Sequence, residues 1–353
     1  MKKFIKILTS AFAMTSILSV ATVTPIEVTR NNNINSNQII KSNINNKQVV
    51  FQNTTNIDSI LSKVPEAKVE NMINDYYENN SLKNNAIFLQ ETSNYNKNQV
   101  IIQKMKQILN ELYTHKISYK TLIQEVQNKY NNLTEKQKKF IKNKIQEAKN
   151  NRNINFQTSY FSYSVFTQTQ NTQQIFDSVI NNSQNVLNQL SKLKACAIAM
   201  AVATAAQWVA AAAEALIPFY GWVATGFTTA AAIADSAATA IAWTTYNQAN
   251  NHLNKIIQKY LNKIRKQNWQ QLKDDIKNLK SIFNGLKNNL GDLDISLGTA
   301  QGSNDADEWA DPADVATDAT ISIVFTIIDS INLSISLTMS ILFNLYTHWE
   351  NQL

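Results

Sequence analysis

Ala195-Cys196-Ala197-Ile198-Ala199-Met200-Ala201-Val202-Ala203-Thr204-Ala205-Ala206-Gln207-Trp208-Val209-Ala210-Ala211-Ala212-Ala213 is the run around which the chain is organised. It continues through Glu214 to Ile217, and a second Ala-rich arm follows from about Thr228 to Tyr246. The sixty residues from Ala195 to Asn254 hold two formal charges, Glu214 and Asp235, and are closed by Lys194 and Lys255. Ala has the highest helix propensity, so each arm is predicted as a helix. The segment between them, Pro218-Phe219-Tyr220-Gly221-Trp222-Val223-Ala224-Thr225-Gly226, carries one Pro and two Gly and is predicted as the turn. An arm of about 20 residues at 1.5 Å per residue spans about 30 Å, the hydrocarbon thickness of a bilayer. Phe219, Tyr220 and Trp222 at the tip, with Phe227 just beyond, suit the headgroup zone where amphipathic rings settle. The same pattern also fits the buried centre of a helical bundle.

Composition narrows the classes around this hairpin. Six Gly and four Pro in 353 residues are too few for the phosphate cradles and tight turns of Rossmann, P-loop and barrel enzymes. Cys196 is the single cysteine, which excludes a disulfide framework within the chain and a thiolate metal site. His115, His252 and His348 have no metal-ligand neighbour at helical spacing, and no nucleophile elbow, His-Glu-x-x-His or Gly-rich phosphate loop occurs. Neither catalysis, a cofactor nor a metal is expected.

The first 21 residues have the form of a secretory leader: Lys2, Lys3 and Lys6, then an apolar run from Ile7 to Val20, then small residues at Ser19-Val20-Ala21. An exported chain beginning near Thr22 is expected. Residues 22–55 are an Asn-rich, low-complexity arm. Residues 56–150 are predicted as a bundle of short helices. One lies behind Pro65; another has Ile101, Ile102, Met105, Ile108, Leu109 and Leu112 on one face. Ser118 is expected to cap a third, and Thr134-Glu135-Lys136-Gln137 to open a fourth with Phe140, Ile141 and Ile145 inward. Between Lys97 and Lys149 twelve lysines face four glutamates. That excess suits a solvated face or an anionic surface; no aromatic-basic signature points to nucleic acid.

Residues 151–172 alternate aromatic and hydroxyl side chains and are predicted as an extended connector or short strand. From 173 a stripe of Ile175, Val179, Val186, Leu190 and Leu193 leads into the first apolar arm. After the second arm, Leu253, Ile257, Leu261, Ile264, Leu272, Ile276, Leu279, Phe283, Leu286 and Leu290 keep the same spacing. The fold class is therefore all-α: an elongated antiparallel helical bundle, 173–290, with a hydrophobic helical-hairpin head at 195–246. Gly291, Gly298 and Gly302 are expected to break the returning stalk into an acidic linker, 291–311. Asp311-Pro312-Ala313-Asp314 is a good start for a C-terminal apolar helix, 312–353. Residues 331–341 also alternate with period two, which leaves a short β segment open there. No Lys or Arg follows Lys287 while ten acids do, so this tail is −10 and the body before it, without the leader, is +14. Such an imbalance can fold the tail onto the body, or leave the body attracted to an anionic surface.

The layout of 170–290, a stalk, an apolar head and a return through Trp269-Gln270-Gln271-Leu272-Lys273-Asp274-Asp275-Ile276, resembles the helical pore-forming toxins of the cytolysin A superfamily, including haemolysin BL and non-haemolytic enterotoxin components. The resemblance is one of architecture. It implies a secreted protein whose head enters the target-cell lipid membrane and assembles there with further copies or partner toxin components. The residues expected to make that contact are Ala195, Trp208, Glu214, Pro218, Phe219, Tyr220, Gly221, Trp222, Gly226, Phe227, Asp235 and Trp243, with the three Trp as interface anchors. Glu214 and Asp235 are costly in lipid when ionised, so low pH could ease entry; the alternative is that each lies on the exposed edge of the soluble bundle. A secreted adhesion protein without membrane attack, or an antibacterial membrane-active protein, fits the same composition.

Overall fold

The computed structural model describes residues 56–74, 92–151, 172–217, 221–265, 269–306 and 312–350. Among these, nine helices and no strand occur. They are α1 (Ile57–Leu61), α2 (66–74), α3 (Thr92–Tyr113), α4 (Tyr119–Asn131), α5 (Glu135–Asn151), α6 (Thr172–Glu214), α7 (Gly221–Arg265), α8 (Trp269–Ala306) and α9 (Pro312–Glu350). The protein is all-α.

Local sequence sets the shorter helices. Ser118 Oγ accepts from the Thr121 amide at 3.1 Å and opens α4. Thr134 and Gln137 form a reciprocal capping box at the start of α5: the Thr134 amide donates to Gln137 Oε1 at 2.8 Å, and the Gln137 amide to Thr134 Oγ1 at 3.3 Å. The predicted face of α3 is buried throughout, from Ile101 to Leu112.

The four long helices close into a ring: α6 packs on α7, α7 on α8, α8 on α9, and α9 back on α6. Thr204 and Thr239 are linked at 3.0 Å between α6 and α7, and Asn289 Nδ2 donates to Thr245 Oγ1 at 3.1 Å between α8 and α7. Pairing 245 with 289 means that α8 folds back along α7. The stalk expected to run on from the second arm to Leu290 is instead two antiparallel helices. A spacing of three and four is kept by both, and Lys266-Gln267-Asn268 between them holds no Gly or Pro to signal a reversal.

Three further expectations are corrected. Gly291, Gly298 and Gly302 do not end a helix, because α8 runs through all three to Ala306. Gly302 lies under α5, where an added Cβ would stand 2.6 Å from Lys149 Cγ and 3.2 Å from the Ile145 carbonyl oxygen. Gly226 is not in the turn but inside α7, and its missing Cβ leaves room for the Ile141 side chain of α5. Residues 331–341 are helical within α9: Ile331, Ile335 and Ile341 are buried, and Ser330, Ser334 and Thr338 return their hydroxyls to carbonyls four residues back. The strand or connector expected at 151–172 lies outside the described residues, apart from its helical ends.

Candidate membrane-contact site

The end of the ring holding the α6–α7 junction is built from small and polar residues. Every residue of α6 from Ala201 to Glu214 is buried. Facing it are Ala224, Ala231, Ala232 and Ala238 of α7, Ala300 of α8, and Ile321 and Val324 of α9, all buried. Within this apolar packing sits a polar layer with one member from each helix. Gln207 Nε2 donates to Asn304 Oδ1 at 3.3 Å, and Asn304 Nδ2 donates to Asp318 Oδ1 at 3.3 Å. Asp235 is buried close enough to Asp318 for the two carboxyls to repel. Desolvation, reinforced by Asp318, holds the Asp235 carboxyl well above the usual carboxylate range. Among the described residues Gln207 Oε1 and Asp235 Oδ2 meet no hydrogen-bond partner.

The predicted contact residues separate into an inner and an outer set. Trp208 is buried and donates from Nε1 to Ser236 Oγ at 2.9 Å. Trp243, Glu214 and Phe227 are buried too, Phe227 against Ile141 and Ile145 of α5. Ala195 is half-buried on α6. At the surface stand Gly221 and Trp222. Gly221 takes φ +65°, a left-handed conformation open to glycine without a side-chain penalty. Of the three Trp expected as anchors, Trp222 alone is on the outside, 38 % exposed; Leu216 is exposed too, at 53 %. Pro218, Phe219 and Tyr220 lie outside the described residues.

Sequence reasoning missed Asn304 and Asp318, which sit in the stretch read as an acidic linker and helix start. The expectation that Phe140 points inward with Ile141 and Ile145 is corrected. That ring turns outward, 43 % exposed, and meets Trp222 edge-on at 5.8 Å, because Ile141 and Ile145 fill the inward face of α5. Lys129 was counted only as part of a basic excess. Its ammonium donates to the Ala215 carbonyl at 3.2 Å, where a cation complements the negative end of α6. Lys129, Tyr130, Leu133, Glu214, Ile217 and Trp222 line a cleft of about 240 Å³ at this tip.

Two of the described helices are long and apolar enough to cross a membrane by length and composition: Asp177–Glu214 in α6, 38 residues, and Thr320–Ile341 in α9, 22 residues. They pack directly on one another. The second arm, in α7, is not among them. No group of His, Cys, Asp and Glu among the described residues has the arrangement of a metal site. No protein-family model matches the chain, and neither a curated protein nor a solved structure matches it.

Proposed function

We propose that this is an exported membrane-permeabilising protein of the helical pore-forming kind, and that the structure is its water-soluble storage form. In this reading α6 leaves the ring, exchanges its protein neighbours for lipid and assembles with other copies or partner proteins on a target-cell membrane. One observation carries the reading. A helix of membrane-crossing length and composition is hidden completely over 201–214, yet apart from Ile321 and Val324 its packing partners there are mostly Ala, Thr and a partly satisfied polar layer. A permanent core gains stability from large apolar side chains, whereas helix contacts in lipid rely on close approach of small ones. A helix satisfies its backbone internally in either setting, so the transfer strands no amide. The architectural likeness to cytolysin A-type toxins supports the same conclusion, and the surface ring of Trp222 with Leu216 and Phe140 supplies the first apolar contact.

Cys196, buried in α6 and the sole cysteine, makes the test direct. Mature protein is added to dye-loaded phospholipid vesicles, and Cys196 is probed with a lipid-soluble maleimide. Dye release together with labelling that requires vesicles is expected. Protein that binds or ignores vesicles with Cys196 still protected and no dye released would leave a helical adhesion scaffold as the function.

A further inference from the structure

Helix α5 carries six lysines and two glutamates in 17 residues, and both acids are already engaged. Lys138 pairs with Glu135 at 3.2 Å and Lys144 with Glu147 at 2.8 Å, while Lys149 turns to Thr299 of α8. The ammonium groups of Lys136, Lys139 and Lys142 make no ion pair or hydrogen bond among the described residues. All three are exposed, as are Asn143 and Gln146 between and beyond them. The seating of the helix explains this. Ile141 and Ile145 face the bundle, so the helical period turns these positions away from it. Phe140 shares the outer side, 43 % exposed, with its ring edge-on to Trp222.

Solubility accounts for unpaired lysines on a surface helix; it does not account for a phenyl ring among them. A partner matching both features offers negative charge at its surface and an apolar layer just beneath. Phe140 has no polar atom with which to read a base edge or a sugar hydroxyl, whereas it and the Trp222 indole suit the boundary between headgroups and acyl chains. We infer that the outward face of α5, Lys136, Lys139 and Lys142 with Phe140, docks the protein on a bilayer rich in anionic phospholipid. This rests on the permeabilising reading for a membrane being the partner, and adds the headgroup charge that is selected. The position fits. Helix α5 lies over Gly226 of α7 and Gly302 of α8, so docking through it sets the α6–α7 end of the ring against the lipid.

Intact mature protein is floated with vesicles of phosphatidylcholine and with vesicles of equal parts phosphatidylcholine and phosphatidylglycerol. Binding to the anionic vesicles should be at least about tenfold tighter, and should weaken with salt as the Debye length falls from about 10 Å at 0.1 M to about 3 Å at 1 M. A lysine at an anionic surface contributes about fivefold in affinity, so Lys136→Gln, Lys139→Gln and Lys142→Gln combined should weaken binding about a hundredfold. Phe140→Ser should weaken it severalfold at high as well as low salt, the mark of a buried ring rather than a charge. All four side chains are exposed, and unchanged circular dichroism and thermal melts would show the variants folded. A triple variant that binds like the wild type, or no preference for the anionic vesicles, overturns the docking face. An oligonucleotide that displaces the vesicles, and that Phe140→Ser binds as well as the wild type does, overturns lipid as the partner. Dye release and Cys196 labelling score the permeabilising reading separately. Anionic docking with neither leaves the face standing and that reading lost; release from both kinds of vesicle without anionic preference does the reverse.

Discussion

The four long helices are packed in two different ways along their length. Toward the chain reversal between α7 and α8, the interior is Val179, Val186, Leu190 and Leu193 against Leu253, Ile257, Leu279, Phe283, Leu286 and Leu290, all buried. Toward the α6–α7 junction Trp208, Val209, Ile321 and Val324 are buried among many small and polar residues: Ala205, Ala210, Ala231 and Ala238 with Thr204, Gln207, Asp235, Thr239 and Asn304. A buried Leu, Ile or Phe side chain contributes about 1.5–3 kcal/mol, while a single buried carbon group such as the Ala methyl contributes about 0.8 kcal/mol. Buried polar atoms without partners then subtract from the second end. The same helices therefore bury larger side chains at one end and more small and polar ones at the other, and the membrane-length span of α6, Asp177–Glu214, runs through both. If the proposed function holds, opening starts from the α6–α7 junction with the leucine-rich end as the hinge.

The largest test of this contrast is Phe283→Ala. Phe283 is fully buried in the leucine-rich end, so its truncation should cost about 3–5 kcal/mol in urea unfolding. A cost below about 1 kcal/mol would erase the distinction between the two ends.

A smaller effect, with opposite signs along one helix, is expected from the α8 glycines. Gly302→Ala puts a Cβ against the Ile145 carbonyl and Lys149 side chain, so α5 must move, at a cost of about 1–3 kcal/mol. Gly291 faces open space, and Gly291→Ala should gain about 1 kcal/mol from helix propensity. Thermal melts of the two variants decide the matter. If both stabilise, α5 is not seated on Gly302 and does not clamp the α6–α7 end.

How much of this was legible in the chain depended on whether the signal was local. Helix caps at Ser118 and Thr134 and the stripes of α3 and α6 follow from spacing and hydrogen-bonding chemistry within a few residues. The reversal after α7 was not, because no breaker marks it and an amphipathic stripe looks alike on a straight or a folded-back helix. Gly226, Gly298 and Gly302 were misread as punctuation; at Gly226 and Gly302 the missing side chain makes room for α5, a tertiary contact made across 85 and 157 residues from Ile141 and Ile145 respectively. The polar layer was half visible. Gln207 and Asp235 stand out in an Ala-rich run, whereas Asn304 and Asp318 lie among many polar neighbours, and only the ring of helices selects them. The acidic tail did fold onto the basic body in one particular: Lys149 of α5 lies near Asp294 and donates to Thr299 Oγ1 at 3.3 Å.

The smallest expected effect bears most sharply on what opens the α6–α7 end. Low pH was an expected aid to membrane entry through Asp235, but in the ring desolvation, reinforced by Asp318, raises that carboxyl's pKa and so favours its protonated form. Its folded pKa stands above the unfolded value of about 3.9, so the folded state binds the proton more tightly. This group therefore adds no penalty below about pH 4 and lowers stability as pH rises from there toward its folded pKa. Acidification tightens the bundle at Asp235. Asp235→Asn removes that dependence, and should raise stability near pH 7 by about 1 kcal/mol, with the difference shrinking as pH falls to about 4. Thermal melts across pH 4–8 measure it. Dye release should follow the same direction, slower in Asp235→Asn than in the wild type at neutral pH. Wild-type stability that instead falls with acid, by an amount abolished in Asp235→Asn, would mean that the carboxyl is ionised inside the ring, and would restore it as an acid trigger.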